Sequence, residues 1–316
     1  MENKQIDVIG FGSPLLDLLV EVEDFFLEEL ELKKGEMHIT SEERALEILE
    51  KLNGHNIDEC AGGSCANTIY GIAYLGGKSA FCGVVGDDEH GKTYDLSFNH
   101  KNNKNILHKI NKKTGHAITF ITNDSQRTFA THLGAAIEFK KHHVLEEDII
   151  KAKILHVEAY QIEGEETKEA MIEAMNFAKK HNIKISLDLS DPALIKRQKK
   201  YLEEIVEKYI DIIFANEEEA KEYTGLEEKD ALNFFGNLCE IAIVKLGAKG
   251  SLIKTQNKIF EIPAEKIIVK DTTGAGDMFA AGFLYGITNN KSIEEAGKIA
   301  TENAAKVVSQ IGARLK

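Results

Sequence analysis

From about residue 150 onward, apolar runs of strand length alternate with amphipathic runs of helix length, a pattern that admits little besides a parallel sheet covered by helices. Residues 154–157, 183–187 and 210–215 read as buried strands, and 166–180 and 194–209 as the helices between them. Parallel neighbours need a crossover of a dozen or more residues, and each helical run can supply one. Strands over 242–245 and 250–254 follow, then helices over 276–286 and 292–309. The first half is less regular. Residues 8–12 read as a short buried strand ending on Gly12, and 15–22 as a second strand able to pair in a sheet. Residues 41–52 form a helix opened by Ser41, with Arg44 where a full capping box would place Glu; Glu42 and Glu43 still suit its start. A helix over 67–75 stops at Gly76-Gly77, and a strand follows at 80–85. Residues 117–122 and 127–132 alternate around Asn123-Asp124 as a hairpin. Between the strand at 80–85 and this hairpin, 99–111 is rich in Lys and Asn and poor in core material, which predicts a surface excursion, and the Lys-rich run 101–113 a solvated face.

Composition narrows the function. At 316 residues the chain has room for about two domains, or for one large α/β unit with a smaller appendage. With 52 acidic against 39 basic residues the net charge is −13, which argues against nucleic-acid phosphate or anionic membrane as partners. Cys60, Cys65, Cys82 and Cys239 have neither zinc-ligand spacing nor a Cys-x-x-Cys, so they read as reduced, buried thiols. The start Met-Glu-Asn-Lys-Gln-Ile-Asp-Val-Ile-Gly lacks the pattern of a secretory signal, and no apolar run approaches the roughly 20 residues of a membrane span. These features predict a cytoplasmic protein. Eleven histidines include no His-Glu-x-x-His, which speaks against a catalytic zinc.

The chemistry concentrates in Asp271-Thr272-Thr273-Gly274-Ala275-Gly276-Asp277. A strand-like stretch, 266–269, leads into it and a helix leaves it. Small residues at a helix start let backbone N–H groups approach an anion, and the partial positive charge there favours phosphate oxygens. Asp277, in the first turn, stands where a general base would take a hydroxyl proton. Spacing alone fits equally well with a tight turn and an acid that only stabilises the helix start.

Asp271 to Asp277, followed by Met278-Phe279-Ala280-Ala281-Gly282-Phe283, resembles the C-terminal signature of the ribokinase/PfkB carbohydrate kinase family. Gly62-Gly63-Ser64-Cys65-Ala66-Asn67, Leu75-Gly76-Gly77, and Gly83-Val84-Val85-Gly86-Asp87-Asp88 with Gly91 resemble its N-terminal signature, roughly 200 residues earlier and in the right order. Asn216-Glu217-Glu218-Glu219 and Lys245-Leu246-Gly247-Ala248-Lys249-Gly250 extend the resemblance over nearly the whole chain. It implies one α/β kinase domain over 1–316, a ribokinase-like three-layer sandwich with a mostly parallel central sheet. A small β-sheet lid, from segments near 12–40 and 92–133, would exclude water on closing.

By the same resemblance Asp277 is the base, and the amides of Gly274, Ala275 and Gly276 form the anion hole. Asn216 and Glu219 place the Mg²⁺–phosphate shell, Glu219 reaching the metal through water. Lys245, Gly247, Gly250 and Thr272 lie on the ATP side, Lys245 where relatives often have Thr or Ser; the adenine end falls near Thr301, Glu302, Asn303 and Ala304. Asp17, Gly62, Gly63 and Asn67 resemble the residues that bind acceptor hydroxyls, with a solvated turn acid and a helix N-cap as the plain alternatives for Asp17 and Asn67. Some family members also take K⁺ near the segment after Asp271. Arg127, in the lid block, is a candidate to reach the phosphates on closing.

The run Gln126-Arg127-Thr128-Phe129-Ala130-Thr131-His132-Leu133-Gly134-Ala135-Ala136, the run Gly10-Phe11-Gly12-Ser13-Pro14-Leu15-Leu16-Asp17, and Glu158-Ala159-Tyr160 are similar to the adenosine-kinase-like branch. That implies a slot for a purine face lined by Leu16, Leu133 and Tyr160, residues that equally suit ordinary core. The resulting expectation is an ATP- and Mg²⁺-dependent kinase, monomeric or homodimeric, that phosphorylates the 5′-hydroxyl of adenosine or a related nucleoside. The alternatives are a kinase for a free sugar or sugar phosphate, and a catalytically silent nucleotide sensor. A dinucleotide oxidoreductase is disfavoured, because Gly10-x-Gly12 lacks the third glycine and position 15 is Leu15.

Overall fold

The computed structural model describes residues 4–98, 102–124, 126–256 and 258–315. The strands in chain order are β1 (Ile6–Phe11), β2 (Leu15–Glu21), β3 (Met37–Ile39), β4 (Asp58–Ala61), β5 (Ser79–Gly86), β6 (Asn103–Ile110), β7 (Gly115–Ile121) and β8 (Arg127–His132). They continue with β9 (Ala152–Glu158), β10 (Lys184–Asp188), β11 (Ile212–Asn216), β12 (Ile241–Lys245), β13 (Ser251–Thr255) and β14 (Lys258–Ile262). Nine form one sheet in the order β14-β13-β12-β11-β10-β9-β1-β5-β6. From β12 to β6 all neighbours run parallel, and only β13 and β14 are antiparallel.

Alternation along the inner strands sorts their side chains onto two faces. Ile213, Ala215, Ala242 and Val244 pack with Met171, Ile205, Tyr223 and Phe235, which come from helices Glu165–Lys180, Pro192–Tyr209, Glu217–Thr224 and Glu228–Leu238. Ile212, Phe214, Ile241 and Ile243 face the other way, onto Ile69, Phe283 and Ala300 of helices Ser64–Tyr74, Ala275–Thr288 and Ile293–Val308. The βαβ rhythm after residue 150 is therefore a helix–sheet–helix sandwich. Among the described residues no helix is long and apolar enough to cross a membrane.

A second sheet, ordered β3-β8-β7-β2-β4, stands over one end of the first. The predicted hairpin is there, β7 pairing antiparallel with β8 from His116↔His132 to Ile121↔Arg127. Leu18, Val20, Ile118 and Phe120 form the sheet's own core with Phe26 and Leu27 of helix Asp24–Glu29 and Ile48 of helix Glu42–Lys51. Ser41 caps the latter by accepting from the Arg44 amide at 3.2 Å.

Several expectations need correction. Residues 99–101 lie outside the described residues, but the rest of the supposed polar excursion is β6, paired with β5 from Ser79↔Asn103 to Gly86↔Ile110. An edge strand needs partners on one side only, so it tolerates the Lys and Asn that hide it from an apolar-run search. The second sheet consequently takes nothing from residues 92–114, and it gains Asp58–Ala61, which pairs with β2. The stretch 266–269 is not a strand: the sheet ends at β14, Pro263 follows, and Ile268 is 83% exposed. Cys65, Cys82 and Cys239 are buried, whereas Cys60 is only half-buried.

Candidate active site

Parallel sheets bind ligands beyond the carboxyl ends of their strands, and the register here aligns those ends. Glu158 pairs with Asp188 across β9 and β10, and Asn216 pairs with Lys245 across β11 and β12. Above these ends runs a cleft of three joined cavities. The first, of about 330 Å³, lies under the second sheet. The second, of about 530 Å³, shares Ser64, Tyr160 and Asp277 with it. The third, of about 600 Å³, shares Lys245, Gly247, Thr272, Ala275 and Gly276 with the second.

At the first junction two helix starts meet. Helix Ala275–Thr288 begins after Gly274, whose φ of 75° is the left-handed conformation glycine adopts without strain, and no side chain caps its first amides. They stay open to an anion in the middle cavity. Asp277 stands in the first turn, and helix Ser64–Tyr74 delivers its partners: the Ser64 hydroxyl donates to Oδ1 at 2.7 Å and Asn67 Nδ2 to Oδ2 at 2.9 Å. Burial pushes the Asp277 carboxyl up to about 6, while these two hydrogen bonds hold it down. A carboxylate has about four acceptor positions, so two donors leave room for a substrate hydroxyl.

The first cavity is built partly on β2. Leu15 and Asp17 line the first cavity, and burial raises the Asp17 carboxyl to about 7. Leu16 does not line it. Side chains alternate along a strand, so Leu16 turns into the core with Val8 and Ile69, and Leu15 takes the place expected for it. Leu133, Tyr160 and Gly63 line the cavity as expected, joined by Met37, Phe129 and Ile137. Asn67 also lines it, with its amide nitrogen engaged by Asp277. Gly62 leaves the space that Asp17 occupies: a Cβ there would lie 2.3 Å from Asp17 Oδ2. Gly62→Ala is therefore expected to lower stability by about 1–3 kcal/mol, the cost of displacing one buried polar group, and an unchanged urea midpoint would show that Asp17 moves aside without loss.

Glu158 is tied differently. It accepts from the Ser13 amide at 3.0 Å, the Cys65 amide at 2.7 Å and Gln161 Nε2 at 3.0 Å, so it fastens the loop after β1 to the start of helix Ser64–Tyr74. Burial raises its carboxyl to about 7.

In the middle cavity Lys245 pairs with Asp188 at 2.9 Å, both side chains mostly buried. A Cβ on Gly276 would stand 3.1 Å from the Lys245 ammonium, which places that charge beside the helix start. Asn216 and Glu219 line the same cavity, engaged with each other as the capping box of helix Glu217–Thr224. Asn216 N–H and Nδ2 donate to the Glu219 carboxylate at 2.8 and 2.7 Å, and burial raises Glu219 to about 7. The third cavity has apolar walls from Pro263, Ile267, Val269, Phe279 and Val308, with Gly247, Gly250 and Thr272 at its edge. Asn303 is buried, donates to the Ile299 carbonyl at 2.9 Å and does not line the cavity; Thr301 and Ala304 do.

Arg127 does not line the middle cavity. It pairs with Asp271 at 2.5 Å and links the second sheet to the loop before Gly274. Sequence reasoning assigned no role to Ser64, Asp188 or Phe129. Asp188 had a signal, an acid closing a predicted parallel strand; Ser64 had none beyond its place in a glycine-rich run.

The profile of the pfkB family of carbohydrate kinases matches residues 35–316. The chain belongs to this family. It is an ATP-dependent carbohydrate or nucleoside kinase, its two sheets and flanking helices are the ribokinase-like fold, and family membership carries ATP as co-substrate, usually with Mg²⁺. The adenosine kinase of Sinorhizobium meliloti superposes with a TM-score of 0.92 at 31% identity, covering 98% of this chain and 96% of its own. A probable sugar kinase protein from Rhizobium etli gives the same TM-score of 0.92 and identity of 31%, covering 98% and 95%. The 5-dehydro-2-deoxygluconokinase of Bacillus subtilis is 29% identical over 269 residues, 79% of this chain and 81% of its own. The kinase is thus similar to proteins named for different acceptors.

Proposed function

We propose that this kinase transfers the γ-phosphoryl group of ATP to the 5′-hydroxyl of adenosine or a related neutral nucleoside, with Asp277 as general base. The charge of the acceptor cavity carries the choice. Asp17, Glu158, Glu163, Asp191 and Asp277 line it, and among the described residues no Lys, Arg or His does. Two cations near it are already paired with carboxylates, Arg127 with Asp271 and Arg197 with the lining residue Glu163 at 2.7 Å. A sugar phosphate or a gluconate-type acid would bring a further negative charge to a lining of five carboxyl groups and no cation, which is unfavourable in a desolvated site. A neutral acceptor meets no such penalty. Leu15, Met37, Phe129, Leu133 and Ile137 offer apolar walls to a base, and Asp17 can accept from ribose hydroxyls beside Gly62 and Gly63. A volume of about 330 Å³ is at the lower end of the ~300–1,000 Å³ typical of small-molecule sites.

In this reading the hydroxyl proton passes to Asp277 as the oxygen attacks, and the amides of Gly274, Ala275 and Gly276 stabilise charge developing on the phosphoryl oxygens. Lys245 adds positive charge beside them, and the third cavity receives adenine, with Gly247, Gly250 and Thr272 along the nucleotide. The carboxylates of Glu219 and Asp188, with the Asn216 amide, are hard donors that fit Mg²⁺. Among the described residues no three His, Cys, Asp or Glu side chains converge as a ligand set, so water and phosphate would complete its shell. When bound, Mg²⁺ neutralises charge on the β- and γ-phosphates. The second sheet supplies one wall of the acceptor cavity, and its closure would keep water from competing with the acceptor.

The second reading is a neutral free sugar, supported by the similarity to a probable sugar kinase protein and by the same Asp17 and Asp277 geometry. An assay of ADP release against adenosine, D-ribose, D-fructose, ribose 5-phosphate and 5-dehydro-2-deoxygluconate separates the readings. Adenosine is expected to give a kcat/KM at least about 100-fold above ribose, a discrimination of about 2.7 kcal/mol or more. Turnover of ribose with adenosine inert would install the second reading, and preference for either anion would refute both.

A further inference from the structure

Residues 310–315 fold back against both signature blocks. The Gly312 amide donates to Asp271 Oδ2 at 2.7 Å, and the space a Cβ on Gly274 would need is filled by Ala313, whose carbonyl oxygen would lie 2.5 Å away. Leu315 is buried with Met278, Val307 and Val308. Between them Arg314 turns inward. Its guanidinium lies over the ring of Phe98 at 4.4 Å, with Tyr70 at 5.1 Å and Tyr94 at 5.7 Å. From this aromatic seat Nε donates to Asn67 Oδ1 at 2.9 Å, Nη1 to Ser97 Oγ at 3.2 Å and Nη2 to the Gly62 carbonyl at 3.4 Å.

The direction of these bonds matters. An amide side chain rotates freely about its last torsion, and reversing it would turn Asn67 oxygen toward the Asp277 carboxylate, acceptor against acceptor. A guanidinium has donors only, so Arg314 accepts nothing but the oxygen end of Asn67 and thereby commits the nitrogen end to Asp277. The same cation holds the Gly62 carbonyl, which Tyr94 also grips at 2.9 Å, and Gly62 is the residue against which Asp17 packs.

We infer that Arg314 is a positioning residue for phosphoryl transfer, acting through Asn67 to orient the Asp277 carboxylate and through Gly62 to seat the acceptor side. It lines none of the three cavities. The inference rests on Asp277 being the base, and the test keeps the two apart. Steady-state kinetics with adenosine, or with whichever acceptor the screen ranks first, are measured for Arg314→Met, Asn67→Ala and the double variant. Arg314→Met fills the aromatic seat without donors. It is expected to lower kcat about tenfold, within the range coupled neighbours show, and to leave the KM for ATP within about twofold. In the Asn67→Ala background the same change should lower kcat less than about twofold, because the route through Asn67 is gone, while any rise in the acceptor KM that it causes through Gly62 should persist. If Arg314→Met does not accumulate as folded protein, Arg314→Lys keeps the charge over the rings without the guanidinium fork, and the same cycle applies. Losses that multiply in the double variant, or an unchanged kcat in the single one, overturn the role of Arg314. Failure of the Asp277 reading appears separately, as retained turnover in Asp277→Asn.

Discussion

Asp277→Asn is expected to lower kcat by about 10³-fold, inside the 10²–10⁴ that a positioned general base contributes, and to leave the KM for ATP within about threefold. The substitution keeps the shape and much of the hydrogen bonding at the junction of the acceptor and phosphate cavities, where Ser64 and Asn67 both reach position 277. What disappears is an oxygen able to hold a proton. With the carboxyl raised to about 6 by burial, wild-type kcat/KM should fall tenfold per pH unit below pH 6, and the residual activity of the variant should lack that limb. The stability consequence has the opposite sign. A carboxyl whose folded value lies above its unfolded one stabilises fully below the unfolded value of about 4, and that contribution is lost as pH rises through the folded value of about 6. The variant has no proton to give up, so its stability relative to wild type should improve from pH 5 to pH 8. Denaturant titrations at the two pH values measure this. Unchanged turnover would take Asp277 out of the chemistry, and a variant whose stability relative to wild type falls from pH 5 to pH 8 would refute the burial argument.

Lys245→Met is expected to be the largest single loss of stability near neutral pH, about 3–5 kcal/mol, as for one partner removed from a buried ion pair. The Lys245 and Asp188 side chains are only 14% and 7% exposed, so solvent screening relieves little of the charge left behind. Glu219, a further carboxyl near Lys245, is already raised to about 7 by burial, and it loses the cation that opposes the rise. The deficit should shrink at pH 5, where protonation of Glu219 removes one of the carboxylate charges, and urea midpoints at pH 5 and pH 8 read it directly. Adding Asp188→Asn should restore part of the loss, since the double variant removes the orphaned charge. Equal stability of Lys245→Met and wild type at pH 8 would show that the pair is solvated in solution. Turnover should fall as well, because the ammonium stands beside the Gly276 position that the proposal gives to the phosphoryl group.

The parts of the molecule legible in the chain were those decided over a few residues. Short continuous apolar runs and period-3.6 apolar patterns identified β9, β10, β11 and the helices between them, because each inner strand buries both faces and each helix buries one stripe. Gly274 announced a helix start that no side chain caps, and Asp277 followed within its first turn. The hairpin of β7 and β8 was visible because two alternating runs flank a turn. Where local content misled, the missing information lay at a distance. The Lys- and Asn-rich strand β6 is a strand because β5 offers it a free edge, and 266–269 is not one because no edge reaches it. Leu15 rather than Leu16 faces the acceptor cavity because pairing with β4 and β7 sets which way β2 lies.

By itself, then, the sequence determined the α/β class, the anion-ready helix start and the acid within it, since backbone conformation and apolar period are properties of short segments. Tertiary structure alone decided what surrounds that acid. Ser64 and Asn67 reach Asp277 across 213 and 210 residues, and Arg314 reaches Asn67 across 247. Packing also removed Lys, Arg and His from the described walls of the acceptor cavity while gathering five carboxylates there. Hydrogen-bond partners and local charge depend on which chain segments meet, and that follows from the packing of the whole core rather than from any one stretch of residues.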